Sequence, residues 1–324
     1  MTKVSVIIPT HCRPHLLPYA VKSAQQAGEN VEVIVIDDAS NDSTPEVCRS
    51  LTGIKYIRLD LNQGVAGARN VGILASSGEY ISFLDDDDLR LPGSLDLQIK
   101  ALETFPEAGF VCGSAHYADQ DGKLTGHIAS PKGEAGDLFW RILGWDYFLL
   151  PATVVIRKAC FLSIGLLNSR LRGIDDWDLW VRLSELFPLA VVDQPVGVYR
   201  KPTPFSEQGS SKLAAHLLRA ADLQLHHLRL PRALAAPGKK RKQVRRETLN
   251  RYADTMMWNA AERFPEGAFR FALLNALGAL RLSPLRVIRP GPYKLLLKGF
   301  LPRQHDARDR TRFEKTHRIQ INTY

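Results

Sequence analysis

Residues 80–88 read Tyr-Ile-Ser-Phe-Leu-Asp-Asp-Asp-Asp, a short apolar stretch that ends abruptly in four carboxylates. Such a run, rich in aromatic and β-branched residues, is the pattern of a buried strand. Two earlier stretches repeat the plan. Residues 4–9 (VSVIIP) lead into Thr10, and residues 31–38 (VEVIVIDD) end in two aspartates. Residues 54–59 give a further strand. Helical stretches fall between these runs, at 14–28, 45–51 and 64–75. Strands alternating with helices at this spacing predict βαβ units and a mostly parallel sheet flanked by helices. In open sheets of this kind ligands bind beyond the carboxyl ends of the strands. Thr10, Asp37-Asp38 and the run 85–88 all fall there, so three strands deliver polar groups to one edge.

Further along, the pattern predicts a helix at 93–105 and a strand at 109–117. Residues 119–150 are loop-rich and aromatic, with Phe139, Trp140, Trp145, Tyr147 and Phe148. These side chains fit a sugar-stacking loop or core packing equally well. A strand at 153–157, a helix at 176–187 and a strand at 190–199 follow. From about residue 205 the strand signals stop, and 213–230, 242–264 and 268–280 read as helices. The expected division is an α/β domain over 1–204 and a basic, mainly helical region over 205–324, with the boundary in the Pro-containing stretch 201–204.

The chain has 324 residues, 45% apolar and 24% charged, which excludes a disordered or fibrous protein. Cys12, Cys48, Cys112 and Cys160 form no CxxC pair and read as scattered thiols of a reducing compartment. The start has no signal-peptide core, and no run of about 18 uncharged apolar residues predicts a membrane span. A cytoplasmic protein is expected. The net charge of +9 conceals an asymmetry. Residues 1–200 hold 18 Lys+Arg against 25 Asp+Glu, and residues 201–324 hold 25 against 9. The cluster 239–246 (KKRKQVRR) and the apolar-basic stretch from 268 fit a peripheral contact with an anionic membrane. Solvated or packed helices are the plainer reading. No recognised nucleic-acid-binding module is present, so nucleic acid is not an expected partner. His226-His227 lacks metal-ligand spacing and is expected at the surface. His116 reads as a partly buried strand residue.

Four adjacent carboxylates repel one another, and a hard divalent cation with oxygen ligands relieves the conflict. Mg²⁺ or Mn²⁺ takes one or two carboxylates together with water and substrate phosphates. The run therefore reads as half of a nucleotide-diphosphate site. A solvated acidic turn is the bland alternative.

Five ordered blocks carry a resemblance: VSVIIPTHCRP, VIVIDDASNDST, NQGVAGARNVG, GEYISFLDDDD with Leu91-Pro92-Gly93 behind it, and Gly173-Ile174-Asp175-Asp176-Trp177-Asp178-Leu179-Trp180. Over residues 3–200 the chain resembles the inverting family 2 glycosyltransferases of the GT-A fold. The resemblance implies a nucleotide-sugar donor, most simply a UDP-sugar, and a glycan or lipid-linked acceptor at the inner face of a cell membrane. It places Pro9 and Thr10 where the base of the nucleotide packs, Asp38 at the nucleoside and Arg69 near the donor pocket. Asp85 and Asp87 take the ends of the D-x-D motif, with Asp86 between them. Asp85 and Asp86 are expected on the donor and Asp87 on the metal, while Asp88 remains open. Asp176 matches the catalytic base, and Asp178 is assigned a structural role. Two departures stand out. Asp175 replaces the usual Glu, and Tyr199-Arg200 is followed by Lys201-Pro202 where many members carry a histidine. Arg200, Lys201 or Ser210-Ser211 are candidates to serve the phosphates instead. A sugar-phosphate nucleotidyltransferase ranks lower, because residues 10–14 (THCRP) are not Gly-rich. A catalytically inactive binding module on the same fold is the third reading.

Overall fold

A computed structural model describes residues 3–130, 135–147, 149–200 and 212–294. The chain divides into two compact units. One comprises Met1–Ile142 with Tyr147–Lys201, the other Leu143–Asp146 with Pro202–Tyr324.

The first unit opens with β1 (Val4–Thr10), α1 (Leu17–Gln25), β2 (Val31–Asp37), α2 (Thr44–Ser50), β3 (Ile54–Arg58), α3 (Gly64–Ala75) and β4 (Tyr80–Phe83). It continues with β5 (Leu89–Arg90), α4 (Ser94–Thr104), β6 (Phe110–Ala118), β7 (Leu124–Ala129), α5 (Phe139–Leu143), β8 (Val154–Arg157), α6 (Cys160–Ile164), α7 (Asp175–Leu186) and β9 (Leu189–Arg200). The strands form one sheet in the order β3-β2-β1-β4-β8-β6-β9-β5, with β7 paired to β6. Every residue of β1 is buried, as expected of a central strand covered on both faces. Val6, Ile8, Val33 and Val35 build the apolar layer under α1, joined by Leu17, Val21, Leu95 and Ile99.

The α/β class holds, and the sheet is mixed, with its longer ladders parallel. Pairs β1–β2, β1–β4, β2–β3 and β6–β9 are parallel. Pairs β4–β8, β5–β9, β6–β7 and β6–β8 are antiparallel. A strand buried on both faces is an apolar run whichever way its neighbours point, so the sequence pattern does not carry their direction. Strand β5 has two residues and β7 is mostly exposed, which explains why periodicity missed both. Most of the aromatic stretch is core. Phe139, Trp145 and Tyr147 are buried, Trp140 is half-buried against Phe139, and Phe148 lies outside the described residues. His116 is half-buried in β6.

In the second unit every described element is helical: α8 (Leu213–His227), α9 (Pro231–Ala235), α10 (Gly238–Arg263), α11 (Phe269–Leu282) and α12 (Pro284–Val287). Segment Leu143–Asp146 belongs to it. Gln224 Nε2 donates to the Leu143 carbonyl at 2.9 Å, Arg251 Nη1 donates to the Gly144 carbonyl at 2.8 Å, and Trp145 meets the Tyr252 ring edge-on at 4.6 Å. His226 is exposed, but His227 is buried on the face that α8 turns inward, contrary to the surface expectation. Two adjacent helical residues point about 100° apart, so a pair can straddle the boundary between core and solvent. Among the described residues no helix is long and apolar enough to cross a membrane.

Helix α3 lies so close to β1 that a Cβ on Gly72 would come within 2.3 Å of Ile7 Cγ2. Overpacking of this kind costs about 1–3 kcal/mol. The Gly72→Ala variant is therefore expected to unfold at lower urea concentration than the wild type, with an unchanged m-value.

Candidate active site

Three strand ends set the site. Thr10, the last residue of β1, pairs in register with Asp37 of β2, and the Leu84 amide beyond β4 donates to the Ile7 carbonyl. The loops after β1, β2 and β4 therefore leave from one edge. Beyond β2 the chain turns sharply, with Ala39 in the left-handed region at φ 60°. Asp37 holds that turn: its carboxylate accepts the Ser40 amide at 2.8 Å and the Tyr56 hydroxyl at 2.9 Å. Asp38 reaches the start of α3. Its two carboxylate oxygens accept the Gln63 amide at 2.7 Å and the Gly64 amide at 2.8 Å, where the helix dipole favours an anion. His11 Nδ1 donates to the Asp38 carbonyl at 2.9 Å. Pro9 is buried within β1. The predicted nucleoside contact, Asp38, is thus the group that ties β2 to α3.

The acidic run splits into two sets. Asp86 turns inward, accepting the Thr10 hydroxyl at 2.7 Å and Arg13 Nη1 at 2.8 Å. The same Arg13 nitrogen donates to Asp87 at 2.8 Å. Asp85, Asp87 and Asp88 gather instead, with one carboxylate oxygen of each within 4.8 Å of the others. The Arg200 amide, at the end of β9, donates to Asp88 at 2.9 Å. Burial raises the pKa of Asp86 to about 7, against the pull of Arg13. Burial and the neighbouring Asp87 and Asp85 push Asp88 well above the usual carboxylate range. Burial also raises Asp87, with Arg13 opposing. Three clustered oxygen donors whose charges are crowded by one another suit a hard divalent cation such as Mg²⁺ or Mn²⁺. Lys201, Ser210 and Ser211 lie outside the described residues.

Arg69 joins this cluster to α7. Its guanidinium is buried, donating from Nη2 to Asp85 at 2.6 Å and from Nη1 to Asp175 at 3.4 Å. It also lies over the Phe83 ring, 5.2 Å from the centroid. Burial disfavours its charge, but Asp85 and Asp175 together raise its pKa. Asp175, Asp176 and Asp178 occupy the first turn of α7, the end of a helix that favours acids. Asp178 is bound by Arg182 through Nε at 2.9 Å and Nη2 at 2.8 Å, and Arg182 also caps the Ile164 and Leu166 carbonyls. Asp176 is half-buried, and its carboxylate accepts its neighbour's amide, Trp177 N, at 2.7 Å, with no ion pair among the described residues. Burial, then the adjacent Asp175 charge, raise its pKa to about 7, with Arg69 opposing. A carboxylate poised near neutrality and not locked in an ion pair is suited to taking a proton.

Residues 5–162 match the family model "Glycosyl transferase family 2". Residues 5–162 thus carry a glycosyltransferase family 2 domain. An uncharacterized glycosyltransferase of Rickettsia bellii is 37% identical over 188 residues, 56% of this chain and 26% of that protein. A Campylobacter jejuni GalNAc(5)-diNAcBac-PP-undecaprenol beta-1,3-glucosyltransferase is 44% identical over 112 residues, 32% of this chain and 36% of that protein. The chain spans between 26% and 62% of the length of the first curated relatives it matches. The crystal structure of S. aureus TarS 1–349 superposes with a TM-score of 0.60 at 19% identity, covering 92% of this chain and 89% of that one. That likeness shows a shared, GT-A-like fold.

Arg13 and Thr10 bind Asp86, Arg13 also binds Asp87, and Arg69 binds Asp85 and Asp175. The two sets meet where the Asp85 and Asp87 carboxylates cluster, while Pro9 and Asp38 sit on the neighbouring strand ends. Asp176 stands beside these groups, next in sequence to Asp175. The sequence reading assigned no role to Arg13, although its place three residues past Thr10 was a signal that it faces the same edge.

Two outcomes follow from the charges. Asp86 and Asp176 bind protons more tightly folded than unfolded, so the folded state holds more protons between pH 4 and 7. In EDTA, unfolding free energy is therefore expected to fall as pH rises through that window, and Mn²⁺ to restore it most at the upper end. Replacing Arg69 by Met leaves Asp85 and Asp175 without their cation, a change of about 3–5 kcal/mol for buried pairs. A large drop in thermal midpoint measures it.

Proposed function

We propose that the protein is an inverting glycosyltransferase that moves a sugar from a nucleotide-diphosphate donor, in the first instance a UDP-sugar, to a hydroxyl of a lipid-linked glycan. The observation that carries the reading is Asp176: a half-buried carboxylate with a pKa near 7, joined through Asp175 and Arg69 to an acidic cluster at the strand ends. Two separated acidic sites with different tasks are what inverting transfer needs.

On this reading Thr10, Asp38 and the backbone of the first strand ends receive the nucleoside. Asp85, Asp87 and Asp88 hold a divalent cation, which when bound would neutralise charge on the leaving diphosphate. Arg69 fixes the spacing between donor and acceptor sides, because it bonds a residue of each. The acceptor hydroxyl approaches the anomeric carbon from the face opposite the diphosphate. As its oxygen forms the new bond, the bond to the phosphate oxygen breaks and the hydroxyl proton passes to Asp176. The configuration at the anomeric carbon inverts.

The relatives support the donor and acceptor class. One in Escherichia coli is a UDP-Glc:alpha-D-GlcNAc-diphosphoundecaprenol beta-1,3-glucosyltransferase, and one in Erwinia amylovora is an amylovoran biosynthesis glycosyltransferase. TarS has been crystallised with UDP and with UDP-GlcNAc. A role in cell-envelope polysaccharide synthesis, from the cytoplasmic face of the membrane, fits these relatives.

Calorimetric titration with UDP tests the donor half. Binding is expected with Mn²⁺, weakened at least tenfold by EDTA or by Asp87→Ala. No binding under any condition excludes UDP as the donor nucleotide. The base is tested with a panel of UDP-sugars and undecaprenyl-diphosphate-linked acceptors. The Asp176→Asn variant is expected to lose about 10²–10⁴-fold in kcat while still binding UDP. The wild-type kcat/KM is expected to rise with pH through about 7. An unchanged rate in Asp176→Asn assigns the base elsewhere.

A further inference from the structure

Helix α11 is built inside out. The side chains it buries are its small ones, Ala272, Asn275, Gly278 and Ala279. They permit close approach to α10: a Cβ on Gly278 would stand 2.8 Å from Met256 Sδ. Its large apolar side chains face solvent. Phe269, Leu273, Leu277 and Leu280 are 60%, 58%, 54% and 49% exposed. At 100° per residue these four fall within an arc of about 80°, a single stripe opposite the buried face. Leu285 and Ile288 extend the apolar surface through α12 at 79% and 75% exposure. Scattered exposed leucines need no explanation, but a contiguous stripe marks an interaction surface.

The charges around the stripe say what covers it. Residues 268–294 contain five cations and no acid; Arg286 and Arg289 pair with Asp254 of α10 at 2.8 and 3.9 Å, and Arg270, Arg281 and Lys294 are the others. Arg270 and Arg281 are exposed and project about 100° and 120° from Phe269, beside the stripe and between it and the exposed Leu274 at about 140°. An isologous pair of copies would set these cations against their own symmetry mates. An apolar stripe with a cationic margin and no acid matches the boundary between lipid headgroups and acyl chains.

We infer that the outer face of α11 and α12 lies on an anionic lipid bilayer, with Phe269, Leu273, Leu277, Leu280, Leu285 and Ile288 entering the acyl boundary and Arg270 and Arg281 meeting headgroup phosphates. The segment lies on the membrane without crossing it. The surface needs no transferase chemistry, so it stands or falls independently of the proposed reaction.

Co-sedimentation of the full chain with vesicles, free of donor and acceptor, tests it. Vesicles of phosphatidylcholine with phosphatidylglycerol are compared with phosphatidylcholine alone. Binding is expected on the anionic vesicles, weaker on the neutral ones, and reduced by high salt. The double variant Leu273→Gln/Leu277→Gln is expected to lose about tenfold or more of the partition coefficient. Arg270→Gln/Arg281→Gln is expected to lose roughly fivefold per charge. All four positions are exposed, so circular dichroism and thermal midpoint are expected to match the wild type. Failure of the wild type to bind anionic vesicles overturns the inference, as does equal binding by the leucine variant. A wild-type dimer that the leucine variant converts to monomer, without vesicle binding, assigns the face to a second copy instead.

Discussion

The arrangement turns on one buried guanidinium. Arg69 sits between Asp85, at the end of a strand, and Asp175, at the start of a helix that follows about ninety residues later. Its own charge is tolerable there only because both carboxylates are present, and theirs only because it is. Arg13 does the same for Asp86 and Asp87 on the other flank. Two arginines thus hold four carboxylates at the open edge of the sheet. Without them the loop after β4 and the first turn of α7 would repel each other.

That concentration of negative charge explains the division of labour among the acids. Some hold the local structure: Asp37 closes a turn, Asp38 anchors α3 beside the edge proposed for the nucleoside, and Asp178 binds Arg182. Those buried beside other carboxylates have raised pKa values. Asp87 and Asp88 need a cation, and Asp176 can accept a proton. The same residue type serves both purposes, and burial beside other carboxylates is what raises the pKa of the second group.

The two units solve different problems. The first buries long apolar strands under helices and spends its polar groups on one edge. The second keeps small residues inside α11 and large ones outside, so its helices pack closely while an apolar stripe stays on the surface.

Much of the first unit was legible in the chain. Apolar β-branched runs ending in polar residues mark β1, β2 and β4, because a buried strand must be apolar and its end must not be. Helix α3 was read with its observed limits, since Gly64 begins it and no breaker interrupts it. The candidate residues Thr10, Asp38, Arg69, Asp85, Asp86, Asp87 and Asp176 could be named because they stand at strand and helix ends or in motifs. What each touches could not. Strand direction in β8, β6 and β9, the short β5, the burial of His227, the bridging by Arg69 and the two-way grip of Arg13 depend on residues distant in sequence. Local periodicity records which side of an element is apolar. It does not record which partner arrives there, and that is decided only when the chain closes on itself.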